Sequence, residues 1–343
     1  MGNRVWSVDR GGSLYFRTKE WIPISTVVGS PSVSSKPPRS QTRWTAIRKK
    51  LQKSKYLYAM FVLPFIYFMI FHYAPMVGNV MAFQEYSIMK GVFNSPWAGL
   101  KYFKQFLYEP YFWKVLRNTL MLNLYALLFY FPAPIIFAIL VNELRSIAFK
   151  RTIQTVTYIP HFLSTVVVAG MIVNFISISG LINQIITYFG GEAQTFMALP
   201  EWFRTIYISS EIWQGMGWGS IIYLAALASI DPGLYEAATI DGANRWHKIR
   251  HITLPGIATV TTIMLLLTIG HMLSVGFEKI ILLYSGPTYE TADVLQTYVY
   301  RRGLIDADFS FAAAVGIFQS VISLILIVAA NQAAKKIQGA SLF

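Results

Sequence analysis

Charged side chains are sparse along much of this chain, so the few that fall in or beside long apolar runs stand out: Glu211, Glu278 and Lys279. A charge at the centre of a bilayer costs about 2.5–3.5 kcal/mol on insertion scales, so such residues face a water-filled path or an interface. Glu211 is followed by Trp213, Gln214 and Trp218. Rings beside polar groups suit a carbohydrate, whose C–H faces pack on aromatics while its hydroxyls need hydrogen-bond partners. The same tryptophans also fit an interfacial aromatic belt. Glu278 and Lys279 are placed to pair with each other or with another subunit. Asn118 and Asn123 interrupt a second apolar run, either as interhelical hydrogen-bonding groups or as part of the same polar path. His247 and His251 stand at i, i+4, a spacing that can hold a metal on one helix face. Lys248 and Arg250 beside them disfavour a cation, and no metal site is expected. There is no cysteine, no G-x-x-x-x-G-K-[ST] phosphate loop and no H-E-x-x-H. The chain carries no catalytic constellation, so an enzyme is not expected.

The elements that must hold these groups follow from composition. Of 343 residues, 55% are hydrophobic and 13% charged, against about 45–50% and about 25% in ordinary soluble domains. Mean hydropathy is +0.46. A bilayer core needs about 20 apolar residues per helix, and six runs qualify, at about 57–83, 118–142, 155–178, 207–230, 256–284 and 311–334. Several contain proline (Pro64, Pro75, Pro132, Pro134, Pro160), which neighbouring helices in a membrane can accommodate. The spacings Gly215-x-x-x-Gly219 and Ala312-x-x-x-Gly316 suit close helix packing. The fold expected is an all-α membrane protein with six transmembrane helices.

The net charge of +13 invites a nucleic-acid reading, but its distribution argues otherwise. With the N-terminus placed in the cytoplasm, 20 Lys+Arg fall in inside segments and 8 outside. That excess predicts an N-in, C-in topology and makes nucleic acid an unneeded partner. Residues 1–55 are expected to be a cytoplasmic tail, with a Ser/Thr/Pro-rich stretch at 25–42 and a basic segment at 43–55 that anchors the first span. More than 50 residues precede that span and no small-residue cleavage site is evident, so it does not read as a signal peptide. Residues 56–340 form the transmembrane domain.

The most informative stretch is the inside loop at about 231–255. Asp231-Pro232-Gly233 opens a short helix, with Asp231 as its cap and Pro232 in its first turn. Leu234, Ala237, Ala238 and Asp241 follow at helical spacing. Gly242 either ends that helix or lets a second one approach. Ala237 and Ala238 keep the face slim, and a small-residue face with one carboxylate suits insertion into a cleft on another protein.

Glu236-Ala237-Ala238, Gly242, and Ile252, Leu254 and Pro255 together resemble the EAA signature of permease subunits of ABC importers. The form Tyr-Glu-Ala-Ala-Thr-Ile-Asp-Gly-Ala is similar to that of sugar importers. Phe71-His72-Tyr73-Ala74-Pro75-Met76, Ser95-Pro96-Trp97-Ala98-Gly99-Leu100, Tyr158-Ile159-Pro160-His161-Phe162 and Ala292-Asp293-Val294 through Arg301 resemble the polysaccharide-type branch. The resemblance covers about residues 56–340, while residues 1–45 depart from it. It implies the type I importer permease fold in a bacterial cytoplasmic membrane. It also implies a coupling helix in which Glu236, Ala237, Ala238, Asp241 and Gly242 dock on an ATPase. The partners implied are a second homologous permease, two copies of a cytoplasmic ATPase that carry the ATP and Mg, and an extracytoplasmic solute-binding protein. No cofactor is expected on this chain. The cargo implied is an oligosaccharide or polysaccharide fragment, uronate-rich as in alginate or pectin. The substrate path is expected to include Asn118, Asn123, Glu211, Trp213, Gln214, Trp218 and Glu278. ABC import of a neutral oligosaccharide or non-sugar solute is the alternative, and a secondary transporter a distant one.

Overall fold

The computed structural model describes residues 7–8, 14–15, 54–273 and 276–338. The tail and its basic segment therefore fall almost wholly outside the described residues. Within the tail, Ser7–Val8 pairs antiparallel with Leu14–Tyr15 over two residues each. The chain divides into two compact units, Met1–Met69 and Ile70–Phe343.

Helix makes up nearly all the regular structure described. In chain order the elements are α1 (Lys55–Phe83), α2 (Lys101–Tyr108), α3 (Pro110–Asn142), α4 (Ile147–Tyr158), α5 (Thr165–Tyr188) and α6 (Pro200–Ala228). There follow α7 (Pro232–Ile240), α8 (Arg245–Gly256), α9 (Ala258–Gly270), α10 (Phe277–Leu283), α11 (Leu295–Tyr300) and α12 (Phe309–Gln338). The prolines leave a regular mark on them. Met69–Tyr73, Ala126–Tyr130 and Ile249–Thr253 are π-helical turns, and each lies just ahead of Pro75, Pro132 or Pro255. Proline lacks an N–H and its ring crowds the carbonyl four residues back. A turn widened to i→i+5 absorbs that mismatch without ending the helix.

Among the described residues four helices, α1, α3, α5 and α12, are long and apolar enough to cross a membrane, and α8 with α9, bent by 59°, would make a fifth. Three of the six expected runs differ in detail. The run expected at 155–178 is displaced to α5 at 165–188. Pro160 lies in a 3-10 turn, Ile159–Phe162, and Ser164 caps the new helix by accepting from Val167 N at 3.3 Å. The run expected at 256–284 is split into α9 and α10. The run expected at 207–230 is a 29-residue helix, α6, but it carries Glu201, Arg204, Glu211 and Gln214 and is not among the helices apolar enough to cross. Its surroundings explain much of that polarity: α6 packs along α3, α4, α5's neighbouring turns and α9, and Arg204, Glu211 and Gln214 are half-buried against protein while Glu201 is exposed. Where α6 crosses α4 the approach is very close. A Cβ on Gly217 would lie 2.1 Å from the carbonyl oxygen of Thr157, so only glycine fits. Packing of this kind, rather than exclusion of water, drives helix association in lipid.

Three buried clusters tie the second unit together. Phe106, Phe112, Val115, Leu295, Tyr298 and Phe311 join α2, α3, α11 and α12, with Phe106 and Phe112 rings 4.7 Å apart. Leu122, Ala169, Phe203, Tyr207, Ile280 and Leu283 join α3, α5, α6 and α10. Ala138, Tyr223, Leu227 and Ile257 close the end of α6 that leads into α7.

Candidate functional site

The loop between α6 and α9 is built by local hydrogen bonds that its sequence prescribes. Asp231 Oδ1 accepts from Gly233 N at 2.9 Å, starting α7. At the other end Gly242 has φ +75°. Its N–H donates to Thr239 O at 3.1 Å and that of Ala243 to Ala238 O at 2.8 Å, the paired bonds of a Schellman stop. A Cβ on Gly242 would meet nothing within 4 Å. Glycine is therefore required there by backbone conformation, and among the described residues no second helix uses the space. Asn244 Oδ1 then accepts from His247 N at 2.9 Å and caps α8. Two side-chain bonds strap α7 to α8: Tyr235 Oη with Thr253 Oγ1 at 3.0 Å, and Lys248 Nζ donating to Thr239 Oγ1 at 2.8 Å.

The face this leaves is open. Glu236, Ala237, Asp241 and Gly242 are exposed and Ala238 is half-buried. The carboxylates of Glu236 and Asp241 have no hydrogen-bond or ion-pair partner among the described residues. Ile240, 87% exposed, and Trp246, 66% exposed, flank them. The result is a short, stiff helix with a slim face, two free carboxylates and apolar edges. His247 and His251 stack 6.0 Å apart. Their Nδ1 atoms are engaged locally, one with Asn244 Oδ1 at 2.8 Å and the other with His247 O at 3.0 Å.

A second set of residues converges on a polar cavity of about 710 Å³ between α6, the turn before α5 and α10. Glu211, Gln214, Glu278 and Lys279 all line it, with Tyr130 and His161. Lys279 Nζ lies 2.5 Å from Glu211 Oε1, and its side chain is only 5% exposed. This corrects the expected choice of partners: Lys279 joins α10 to α6 and does not pair with its neighbour Glu278, which is exposed. Two adjacent residues on a helix point to different faces, so the pairing follows from α10 being helical. Gln214 Nε2 donates to Leu163 O at 3.3 Å. Trp218 stacks on His161 at 4.6 Å and 3°, backing the cavity wall. Trp213 faces elsewhere, into an apolar cavity of about 530 Å³ and another of about 890 Å³.

Asn118 and Asn123 line none of these cavities. Asn118 is 3% exposed and donates to Glu290 O at 2.8 Å and Asp293 O at 3.1 Å. Asn123 donates back to Thr119 O in its own helix at 2.6 Å. Asn118 thus ties α3 to the segment at 290–293, while the bond of Asn123 stays within α3.

Residues 130–338 match the family described as binding-protein-dependent transport system inner membrane component. The chain belongs to that family. The polygalacturonan/rhamnogalacturonan transport system permease protein YteP of Bacillus subtilis (strain 168) is 46% identical over 84% of this chain and 90% of its own length. The arabinooligosaccharides transport system permease protein AraP of the same organism is 29% identical over 89% and 95%. Among solved structures, a chain of a bacterial ABC transporter involved in import of the acidic polysaccharide alginate superposes with a TM-score of 0.80 at 44% identity. It covers 85% of this chain and 99% of that one. A second structure, of a bacterial alginate ABC transporter with an alginate pentasaccharide-bound periplasmic protein, matches equally well in fold, with a TM-score of 0.80 at 43% identity. The chain is thus a non-catalytic permease subunit of a sugar-type ABC transporter, a bacterial inner membrane component with the type I permease fold.

Sequence reading missed how this permease fastens its segment 285–305. Asp293 is fully buried. Its Oδ1 accepts from Thr297 Oγ1 at 2.6 Å and Arg301 Nη1 at 2.9 Å, and its Oδ2 from Arg301 Nη2 at 2.5 Å and from the Tyr111 hydroxyl. Burial works against the Arg301 charge, but the bonds and charge of Asp293 outweigh it and raise the guanidinium above its ordinary value. Arg301 also lies 4.9 Å over the Tyr289 ring. Asp293 and Arg301 are eight apart in sequence and flank α11, Asp293 just ahead of its first residue and Arg301 just after its last, so no i, i+3 or i, i+4 spacing announces the pair. Arg204 was missed too, because one cation outside six spans reads as background charge.

Proposed function

We propose that this permease is one half of the membrane path of an ATP-driven, binding-protein-dependent importer of uronate-rich oligosaccharides of the alginate or pectin kind. The observation that carries the substrate reading is that relatives similar over nearly their whole length are named for acidic polysaccharides, one pectic and one alginate. The six apolar runs cross the membrane six times with both ends in the cytoplasm, and residues 1–55 form a cytoplasmic tail ahead of a transmembrane domain at 56–340. A second homologous permease completes the path. Two cytoplasmic ATPase subunits, which carry ATP and Mg, dock on the exposed face formed by Glu236, Ala237, Ala238, Asp241 and Gly242. An extracytoplasmic binding protein delivers the cargo. Glu211, Gln214 and Glu278 in the polar cavity, Trp218 behind it and Trp213 beside it contact the passing sugar.

The mechanism is alternating access. ATP binds the closed ATPase pair better than the open one, and only such a difference can shift the population of states. The short helix α7, strapped to α8, passes that motion to the spans as a near-rigid lever.

Two measurements test this reading. In the reconstituted complex with its binding protein, galacturonate or alginate oligomers stimulate ATP hydrolysis and neutral oligomers do not. Stimulation by neutral oligomers alone would keep the importer and discard the uronate. Because the chain has no cysteine, topology can be read with single-cysteine variants. Met89 and Ile240 are 99% and 87% exposed. A membrane-impermeant maleimide added to intact cells labels Met89→Cys and spares Ile240→Cys; the reverse pattern overturns the orientation.

A further inference from the structure

The cavity of about 890 Å³ differs from the polar one in the state of its charge. It is lined by Tyr125, Phe129, Glu201, Arg204 and Trp213. Tyr125 and Phe129 stand one helical turn apart with rings stacked at 6.2 Å and 18°, and Trp213 is 45% exposed. Three aromatic side chains thus line the same cavity as one guanidinium.

That guanidinium is held and yet unsatisfied. Arg204 Nη2 donates to Asn118 Oδ1 at 3.2 Å. Asn118 is itself fixed by its bonds to the carbonyls of Glu290 and Asp293. The Nε of Arg204 is buried and has no partner. Glu201 shares the lining but forms no ion pair with it. Lys279, Arg301 and Arg302 each have a carboxylate, at 2.5, 2.5 and 3.8 Å, whereas Arg204 has none among the described residues. A half-buried cation without a counter-ion is costly. An arginine held by one hydrogen bond at Nη2, with its Nη1 unpartnered among the described residues, is arranged to take a planar anion through the outer ends of its fork.

We propose that Arg204 is a carboxylate-binding, specificity-determining residue of the import path. It holds the carboxylate of a uronosyl residue whose ring lies against Tyr125, Phe129 or Trp213. The pairing of one guanidinium with aromatic platforms matches one sugar class: a pyranose with an apolar C–H face and a charged edge. The inference rests on the uronate reading above and adds the residue that reads the charge.

The test separates the two. The purified permease–ATPase complex, without binding protein, is titrated at equilibrium with trigalacturonate and with the same trimer after its carboxylates are reduced to alcohols. Wild type binds the acid about tenfold or more tighter than the reduced trimer, the size expected for a hydrogen-bonded charge. Arg204→Gln binds both alike, at the affinity wild type shows for the reduced trimer. Arg204→Lys, which keeps the charge and loses the fork, falls between. Unchanged binding of the reduced trimer by Arg204→Gln shows that the site is intact. An Arg204→Gln complex that keeps the wild-type preference overturns the proposal, as does an equal loss of both trimers, which marks a structural role. If wild type shows no preference or no binding while uptake assays show uronate import, the Arg204 assignment fails alone. If uptake of uronate fails as well, the substrate reading has failed with it.

Discussion

An Asp293→Ala permease loses about 3–5 kcal/mol of stability, the range for removing one partner of a buried ion pair. The size follows from what is left behind. Asp293 is fully buried and both its oxygens are used. Its removal strands Arg301, whose side chain is 22% exposed, together with the hydroxyls of Thr297 and Tyr111. It also loosens the segment that Asn118 and Thr119 grip through backbone groups, the latter by accepting from Leu295 N at 2.8 Å. The double variant Asp293→Leu, Arg301→Met recovers most of that loss, because apolar groups of similar size leave no charge behind. Thermal unfolding of the purified subunit in detergent checks both. A single variant that costs less than about 1 kcal/mol, or a double variant no better than the single, would show that the pair is not what fastens the segment.

Much of this was legible beforehand, for reasons that differ by element. The helices α1, α3, α5 and α12 declare themselves because lipid demands long apolar runs. The helix α7 is legible residue by residue, since Asp231, Pro232 and Gly242 each act through the backbone within a few positions. What sequence did not give was whatever depends on contacts between distant segments. The polarity of α6 became intelligible only with α3, α4 and α9 around it. The partner of Lys279 is 68 residues away on α6, and no local rule selects Glu211 over Glu278 except the direction of side chains on a helix. The partners of Asn118, the carbonyls of Glu290 and Asp293 and the guanidinium of Arg204, lie 86 or more residues from it in sequence. The start of α5 was misplaced because a run of hydropathy does not register the break at Pro160.

A Gly242→Val permease assembles with its partners but imports sugar at least tenfold more slowly, while Gly242→Asn imports at close to the wild-type rate. At φ +75° glycine is unstrained, asparagine tolerates the left-handed region, and a β-branched residue does not. The cost to valine is about 1–2 kcal/mol, small beside the stability of the whole chain but concentrated on two hydrogen bonds. Those bonds, to Thr239 O and Ala238 O, end α7 and set the angle at which α8 leaves it. Space is not the issue, because a Cβ at Gly242 would meet nothing within 4 Å. If α7 is the lever between ATPase and spans, a frayed end passes on less of the stroke. ATP hydrolysis by the Gly242→Val complex then continues at its basal rate and no longer rises with loaded binding protein. A purely structural role would depress basal hydrolysis, surface expression and transport together. Import by Gly242→Val at the wild-type rate would remove α7 from the coupling path altogether.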